Sequence, residues 1–367
     1  MMQLEKWILK IVLGILNILT FWLRPQPKRI TFISMTMDHL SADLALIDQA
    51  LKKEAKYQIH YDLMQIQKTL WGDFLYFLNL CRQMIEIKKS QLVILNDNNY
   101  IVSNYKPKGT KVLQVWHACG AIKKFGNQIE RSYEIKGYDA VLCSSEYWKK
   151  IYAEAFEVLP SQVHVTGMPR IDELMNKQKQ EKQKEDFLRT HPTCQNKKCI
   201  LYAPTFRGNI VKGFQVASFD IASVLDSLGE DYVILYKFHP LLPSVSVDHP
   251  RAVDCQKEDL YTLMTLSDVL ISDYSSVILD YSLLRKPMIA YIDDLEEYEN
   301  TVGLNIDYQK EFPGAICCRD KELIQALKDL KTDSGQNVFQ EKYMTYADTH
   351  NTQRVVSLIE QLMQAAH

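Results

Sequence analysis

Short apolar runs alternate with longer amphipathic stretches along most of this chain. Runs of aliphatic and β-branched residues predict a first set of strands at 29–34, 59–64, 91–96, 112–117 and 140–144. Helical spacing of apolar positions predicts helices between them, such as 41–53 and 73–89. A second set follows, with strands predicted at 199–203, 232–238, 269–272 and 288–291 and a helix at 352–364. This alternation is typical of an α/β protein with parallel sheets.

The segment 176–198 interrupts this pattern, because it is highly charged and almost free of large apolar residues. We interpret it as a connection between two domains, which suits a chain of 367 residues at roughly 150 residues per domain. The predicted doubly wound domains occupy 29–175 and 199–350, and a C-terminal helix occupies 351–367. Such sheets bind ligands where strands end in loops, so we expect the functional residues in a cleft between the two domains.

The N-terminal segment 1–28 contains an apolar run of 17 residues, Trp7 to Leu23. Polar or small residues recur within and around it at steps of three and four, which places them on one narrow stripe of a helix. The pattern predicts an amphipathic helix lying on the inner leaflet, with basic residues facing anionic lipid. Two alternatives stay open, namely a helix packed on its own domain and a true membrane span. A secretory signal is not favoured, because no small-residue cleavage site follows the run.

Composition excludes several other classes of protein. Hydrophobic residues are 47% and charged residues 24% of the chain, as in globular proteins rather than disordered, fibrous or polytopic membrane proteins. The 43 Lys and Arg residues against 45 Asp and Glu residues leave no global positive field, so no nucleic-acid partner is expected. The eight cysteines form no C-x-x-C pair, which favours reduced thiols in the cytosol over disulfides or a zinc site.

The first motif, at 115–126, follows a predicted strand and contains His117 before a glycine-flanked loop. A histidine at a strand end can take a proton near neutral pH, and Lys123 in the same motif can lie close to phosphate. The alternative is a structural histidine, hydrogen-bonded beneath a loop.

Two further motifs repeat this arrangement in the second half of the chain. The second motif, at 202–208, places Thr205 and Arg207 after a strand, where arginine can fork onto phosphate or simply face solvent. The third motif, at 236–240, places Lys237 and His239 after a strand and before a proline. A second strand-end histidine makes a purely structural role for both histidines less convincing.

The fourth motif, at 268–281, reads as a strand, a polar turn and a helix. Ser275 or Ser276 is a suitable N-cap, and the free N–H groups of a helix start suit a phosphate, although ordinary capping explains the pattern equally well. The absence of a Gly-Lys-Ser sequence excludes a P-loop. Asp273 and Asp280 accompany the serines, and Asp280 is better suited to orient neighbours than to bind Mg²⁺, because a lone carboxylate is a weak metal site.

Together these motifs resemble the CDP-glycerol glycerophosphotransferases of teichoic acid synthesis. The resemblance rests on the order and spacing of VWHACGAIKKFG, YAPTFRG, YKFHP and SDYSSVILDY followed by RKPMIAY, and it covers roughly residue 111 to the C-terminus. It implies two Rossmann-like domains, as in GT-B glycosyltransferases, with the acceptor on the N-terminal domain and CDP-glycerol on the C-terminal domain. It also implies an undecaprenyl-diphosphate-linked disaccharide as acceptor and peripheral attachment to the cytoplasmic face of the cell membrane.

The resemblance implies that His117 is the general base and that His239, Arg207, Ser275 and Ser276 contact the donor phosphates. An acceptor hydroxyl would attack the phosphorus that carries glycerol, and CMP would leave. The predicted catalytic residues are thus His117 and His239, and the predicted substrate-binding residues are Lys123, Thr205, Arg207, Lys237, Asp273, Ser275, Ser276 and Asp280. No metal ligand and no cofactor is assigned.

Polymerising members of the family commonly read Trp-His-Gly-Thr-Pro at the first motif. Here Ala118 and Cys119 follow His117, which resembles the priming enzymes more closely. The expected function is therefore the priming transfer of one glycerol phosphate. The alternatives are a poly(glycerol phosphate) or ribitol phosphate transferase or polymerase, a GT-B glycosyltransferase that uses a nucleotide sugar, and a membrane scaffold without activity. A homo-oligomer is neither favoured nor excluded.

Overall fold

The computed structural model describes residues 3–66, 69–205, 207–209, 213–215, 219–238, 246–330 and 335–365, with the backbone alone at 3–6, 207–209 and 213–215. The chain divides into two compact units. Unit 1 contains Met1–Ala118, Phe125–Asp172 and Asp348–His367, and unit 2 contains Cys119–Lys124 and Glu173–Ala347.

Helices and strands alternate along most of the chain, as the sequence pattern predicts, and the structure adds strands that were not predicted. The helices are α1 (Gln3–Leu19), α2 (Ala42–Lys53), α3 (Leu70–Lys89), α4 (Tyr100–Tyr105), α5 (Glu146–Phe156), α6 (Arg170–Leu174), α7 (Lys177–Thr190), α8 (Ile221–Leu228), α9 (Leu260–Leu266), α10 (Val277–Ser282), α11 (Leu295–Thr301), α12 (Tyr308–Glu311), α13 (Asp320–Lys328), α14 (Gly335–Tyr343) and α15 (Asn351–Gln364). The strands are β1 (Gln26–Ser34), β2 (Gln58–Leu63), β3 (Ser90–Leu95), β4 (Lys111–Gln114), β5 (Ala140–Cys143), β6 (Val163–Val165), β7 (Lys198–Tyr202), β8 (Arg207–Asn209), β9 (Gly213–Gln215), β10 (Tyr232–Tyr236), β11 (Ala252–Asp254), β12 (Val269–Ser272), β13 (Met288–Tyr291) and β14 (Ala315–Cys317).

Unit 1 is built on a six-stranded sheet in the order β2-β1-β3-β4-β5-β6, in which every pair of neighbours is parallel. Strands β3 and β5 are buried along their whole length. Helix α3 packs against β1 and β3, α5 packs against β5 and β6, and α15 packs against α2, β3 and β4. Continuous burial of this kind requires helices on both faces of a parallel sheet.

The C-terminal helix α15 belongs to unit 1, although the sequence analysis placed it after a C-terminal domain that ends at 350. Asp172 accepts hydrogen bonds from the backbone N–H groups of Asn351 (2.7 Å) and Thr352 (2.8 Å), which caps the start of α15. Near the other end, the Gln91 side chain donates to the Met363 carbonyl at 2.9 Å. Long-range contacts of this kind are invisible in a local sequence pattern.

Unit 2 is built on a second six-stranded parallel sheet, in the order β11-β10-β7-β12-β13-β14. The predicted α/β class with parallel sheets is therefore confirmed. The charged segment 176–198, interpreted as a connection, contains the whole of helix α7 and belongs to unit 2. Strands β8 and β9 form a small antiparallel hairpin that the sequence pattern did not predict.

Helix α1 runs from Gln3 to Leu19, a few residues earlier than predicted. It packs against α3 and buries Leu9 and Leu13 on one side. The ammonium of Lys88 on α3 donates to the Asn17 carbonyl and to the Thr20 hydroxyl, both at 2.9 Å, and burial lowers the pKa of Lys88. Most of the side chains left exposed on and just after α1 are apolar: Trp7, Ile8, Ile11, Ile15, Ile18, Leu19, Phe21 and Trp22. Among the described residues, no helix has the length and apolar character needed to cross a bilayer.

Candidate active site

The carboxyl edge of the unit 1 sheet presents His117 to solvent. Strand β4 ends at Gln114, three residues before His117, because Trp116 adopts a left-handed backbone conformation (φ 62°). A tryptophan in this conformation is strained and persists only where its surroundings hold it. The Trp116 N–H donates to the Gln114 side chain at 2.9 Å, and its buried ring packs on Phe125 and Phe156. The turn so formed directs the His117 side chain outward.

Hydrogen bonds fix both the ring and the backbone of His117. Its Nδ1 lies 3.2 Å from the Asn96 carbonyl, which can only accept, so Nδ1 carries the proton of the neutral ring. This leaves Nε2 as the basic nitrogen. The His117 carbonyl accepts from Arg170 at 3.3 Å, and Arg170 is held by the buried carboxylate of Asp43 at 2.6 Å. Sequence reasoning missed these partners. Asn96 follows a predicted strand as His117 does, but Arg170 and Asp43 carry no local signal.

The protein lowers the pKa of His117 below its ordinary value. Although part of the residue is exposed at the surface, the protein packed around the ring desolvates its charged form, and this is the largest cause. The Asn96 carbonyl and the Asp97 carboxylate oppose it. The imidazole therefore stays neutral, and able to accept a proton, at a more acidic pH than a free histidine does. This property suits a general base.

The carboxyl edge of the unit 2 sheet joins the second and fourth motifs. Strands β7 and β12 are neighbours, and the chain after β7 stays paired, with the Ala203 N–H donating to the Ile271 carbonyl at 3.0 Å. Two residues later, the Thr205 N–H donates to the buried carboxylate of Asp273 at 2.9 Å. Asp273 thus fixes the position of the Thr205 backbone. Its carboxylate is buried, whereas a side chain that contacts a ligand is exposed to the binding site.

The first motif contributes Lys123 to the same edge of unit 2. The Lys123 ammonium donates to the Thr205 hydroxyl at 3.0 Å and lies 5.4 Å from the ring centroid of Tyr298. Tyr298 stacks on Tyr274, with ring centroids 4.0 Å apart. A half-buried ammonium beside a threonine hydroxyl and aromatic faces is a suitable partner for a phosphate group. Tyr298 was not predicted, since it lies in a helix outside every motif.

The start of helix α10 provides fewer free N–H groups than the sequence predicts. Helix α10 has only six residues. The Val277 N–H donates to the Ser275 hydroxyl at 3.4 Å, while those of Ile278 and Leu279 donate to the carbonyls of Ser275 and Ser276. Ser276 occupies the N-cap position but makes no capping hydrogen bond with its side chain. Any anion bound here therefore depends on the serine hydroxyls rather than on a free helix terminus.

Asp280 contacts the part of the first motif that belongs to unit 2. Its buried carboxylate contacts the thiol of Cys119 and accepts from the Tyr261 hydroxyl at 3.3 Å. No group of three or more His, Cys, Asp or Glu side chains in the described part of the chain is arranged to hold a metal ion. Because the carboxylates of Asp273 and Asp280 are buried among protein donors, they do not fit a Mg²⁺ site.

Of the remaining predicted residues, Lys237 has a described side chain, and it contacts backbone carbonyls. The Lys237 ammonium donates to the carbonyls of Gln256 (2.9 Å) and Cys255 (3.4 Å), which ties the end of β10 to the chain after β11. His239 and the side chain of Arg207 lie outside the described residues, although the Arg207 backbone begins β8.

Comparison with known proteins gives a consistent result over nearly the whole chain. A family model described as CDP-glycerol:poly(glycerophosphate) glycerophosphotransferase matches residues 16–361. The chain is 29% identical to a teichoic acid ribitol-phosphate primase of Bacillus spizizenii, over 98% of this chain and 99% of that protein. It is 32% identical to a teichoic acid glycerol-phosphate primase of Bacillus subtilis, over 74% of each. A Bacillus spizizenii teichoic acid poly(ribitol-phosphate) polymerase is 30% identical over 91% of this chain but only 56% of its own length.

The fold also matches a solved structure. A structure of the wall teichoic acid polymerase TagF aligns with a TM-score of 0.73 and 20% identity, over 100% of this chain and 99% of that one. The shared two-sheet α/β fold accords with the family match. The chain therefore belongs to the CDP-glycerol:poly(glycerophosphate) glycerophosphotransferase family, together with teichoic acid primases and polymerases.

Proposed function

We propose that this enzyme transfers one glycerol phosphate from CDP-glycerol to a lipid-linked disaccharide and releases CMP, as a priming step of wall teichoic acid synthesis. The observation that carries this proposal is the cluster of Lys123, Thr205 and Tyr298, which brings two separate motifs to one edge of unit 2. Within the family, a cationic and hydroxyl-bearing strand end is where the donor diphosphate is expected. His117, exposed and kept neutral, supplies the base.

The residues account for each part of the reaction. An acceptor hydroxyl attacks the phosphorus that bears glycerol, a new P–O bond forms, and the bond to the CMP oxygen breaks. Nε2 of His117 takes the proton of the attacking hydroxyl, since Nδ1 is committed to the Asn96 carbonyl. Lys123, with the hydroxyls of Thr205 and Ser275, stabilises negative charge that develops on the diphosphate. CMP then leaves with that charge.

One observation favours priming over polymerisation. Ala118 and Cys119, which follow His117, depart from the motif typical of polymerases. The choice of CDP-glycerol over CDP-ribitol rests on the family and on the glycerol-phosphate primase, and CDP-ribitol is the alternative donor.

The first prediction concerns the product. Incubated with CDP-glycerol and a synthetic undecaprenyl-diphosphate disaccharide, the enzyme should release CMP and add a single glycerol phosphate, measured by mass spectrometry of the lipid product. A ladder of products would indicate a polymerase. Reaction with CDP-ribitol alone would identify the other donor, and release of a nucleoside diphosphate from a nucleotide sugar would replace the proposal with a glycosyltransferase.

The second prediction concerns the base. His117→Ala should lower turnover by roughly 100- to 10,000-fold, the usual effect of a lost general base. Because the pKa of His117 is lowered from 6.5, wild-type kcat/KM should hold down to pH 6.5 and fall only below it, as the ring becomes protonated. His60→Ala is a matched control, since burial also lowers the pKa of this unit 1 histidine. Near-normal turnover of His117→Ala would remove the base assignment.

The third prediction concerns the donor phosphates. The double change Ser275→Ala with Ser276→Ala should weaken CDP-glycerol more than cytidine, because cytidine lacks the diphosphate that the hydroxyls contact. Arg207→Ala should show the same preference more strongly, as charge-assisted hydrogen bonds are about twice as strong as neutral ones. Calorimetric titration with CDP-glycerol, CMP and cytidine measures this, with the exposed Ser227→Ala on α8 as control. Equal losses for all three ligands would mean that the changes damage unit 2.

We also propose that unit 1 attaches peripherally to the inner leaflet of the membrane. The apolar side chains that α1 leaves exposed support this, as do those at the start of α3: Leu70, Trp71, Phe74, Leu75 and Leu78. Exposed Lys10, Arg24 and Lys28 accompany α1 and suit anionic headgroups. An exposed apolar surface rimmed by basic residues is typical of an interfacial membrane protein.

The fourth prediction tests this attachment without removing α1, which is partly packed on unit 1. Changing Ile11, Ile15 and Ile18 together to Glu alters exposed positions on one helix face and leaves Leu9 and Leu13 in place. The variant should stay folded and no longer sediment with anionic vesicles. Leu159→Glu, a similarly exposed leucine elsewhere in unit 1, should sediment like the wild type. Unchanged sedimentation of the triple variant would place the anchor elsewhere.

A further inference from the structure

Six residues of the first motif, Cys119–Lys124, belong to unit 2, although the chain on both sides belongs to unit 1. We call this segment the strap. It lies beside the chain at Gly303–Asn305, where Lys123 and Leu304 form an antiparallel bridge. The Lys124 N–H donates to the Gly303 carbonyl at 3.0 Å. Gly303 has φ +79°, a backbone conformation that residues with a Cβ rarely adopt, so glycine is favoured at this turn.

Asn305 donates three hydrogen bonds to the strap. Its backbone N–H donates to the Ile122 carbonyl at 2.8 Å. Its side-chain amide donates to the carbonyls of Ala121 at 2.9 Å and Lys123 at 3.1 Å. Three consecutive strap carbonyls are therefore satisfied by one residue. A carboxamide NH₂ has two donors, and aspartate of the same size has none, so the side-chain contacts are specific to asparagine.

The strap positions Lys123. Its backbone is bound by Asn305, and its ammonium reaches the Thr205 hydroxyl and the face of Tyr298. Lysine has four rotatable side-chain bonds, so its head is placed well only if its backbone is fixed. Ala121 and Ile122 are buried on unit 2, and the thiol of Cys119 contacts Asp280, which anchors the other end of the strap.

We infer that Asn305 is a positioning residue that holds the strap so that the Lys123 ammonium meets the donor diphosphate. This rests on the proposed function, in which Lys123 contacts the phosphates of CDP-glycerol. Asn305 itself touches no substrate. Without the Asn305 side chain, the three strap carbonyls keep one donor, the backbone N–H at position 305, instead of three. Lys123 therefore spends less time in the productive position.

The experiment is a double-mutant cycle on donor binding. Calorimetry with CDP-glycerol and cytidine is carried out on the wild type, Asn305→Ala, Lys123→Ala and the double variant. Asn305→Ala should weaken CDP-glycerol by about tenfold, the loss expected for two hydrogen bonds, and leave cytidine unchanged. The double variant should bind no more weakly than Lys123→Ala, because both changes remove the same contact. Asn305→Ser, which retains one donor, should lie between the wild type and Asn305→Ala.

Asn104→Ala is the matched control, since this exposed asparagine on α4 also donates from its side chain to a backbone carbonyl. Additive losses in the double variant, or equal losses for CDP-glycerol and cytidine, would overturn the inference in favour of a general structural role. Unchanged binding of CDP-glycerol by Asn305→Ala would overturn this inference but not the proposed function. A wild-type chain that does not bind CDP-glycerol would instead overturn the proposed function, and this inference with it.

Discussion

Parallel pairing of buried strands is the constraint on which the rest of this structure depends. Strands β3, β5 and β12 are buried along their full length. Their side chains are mostly apolar and are not accessible to a substrate. Parallel strands all end at the same edge of a sheet, and the polar residues that follow them collect there. Asn96 and His117 meet in unit 1 for this reason, and Thr205 and Asp273 meet in unit 2.

The first motif serves both units within twelve residues. His117 is fixed in unit 1 by a strained tryptophan, the Asn96 carbonyl and the Arg170 side chain. Two residues later the chain becomes part of unit 2, where Asn305 binds the strap and Lys123 reaches Thr205. The proposed base and the proposed phosphate-binding cation are thus joined by a short covalent connection within one continuous motif.

Helix α1 has a polar stripe that unit 1 partly covers. Thr20 is buried and binds Lys88, while Leu9 and Leu13 pack beneath the helix. Because Leu9, Leu13 and Thr20 lie on the side that faces the rest of unit 1, most of the other aliphatic and aromatic side chains lie on the side that faces away from it. The same helix therefore packs on its own unit and also exposes an apolar surface. The prediction of a helix packed on its own domain and the prediction of an interfacial amphipathic helix are thus compatible.

The sequence by itself determined the α/β class, most strand positions and the motifs that carry the family resemblance, because these depend on local apolar periodicity and on residues close together in the chain. Strands β12 and β13 match the prediction residue for residue. Only the tertiary structure decided the partners of those motifs. The return of α15 to unit 1, the support of His117 by Arg170 and Asp43, the engagement of Lys237 by carbonyls and the binding of the strap by Asn305 all join residues far apart in sequence. Such contacts follow from how sheets and helices pack, which no local pattern encodes.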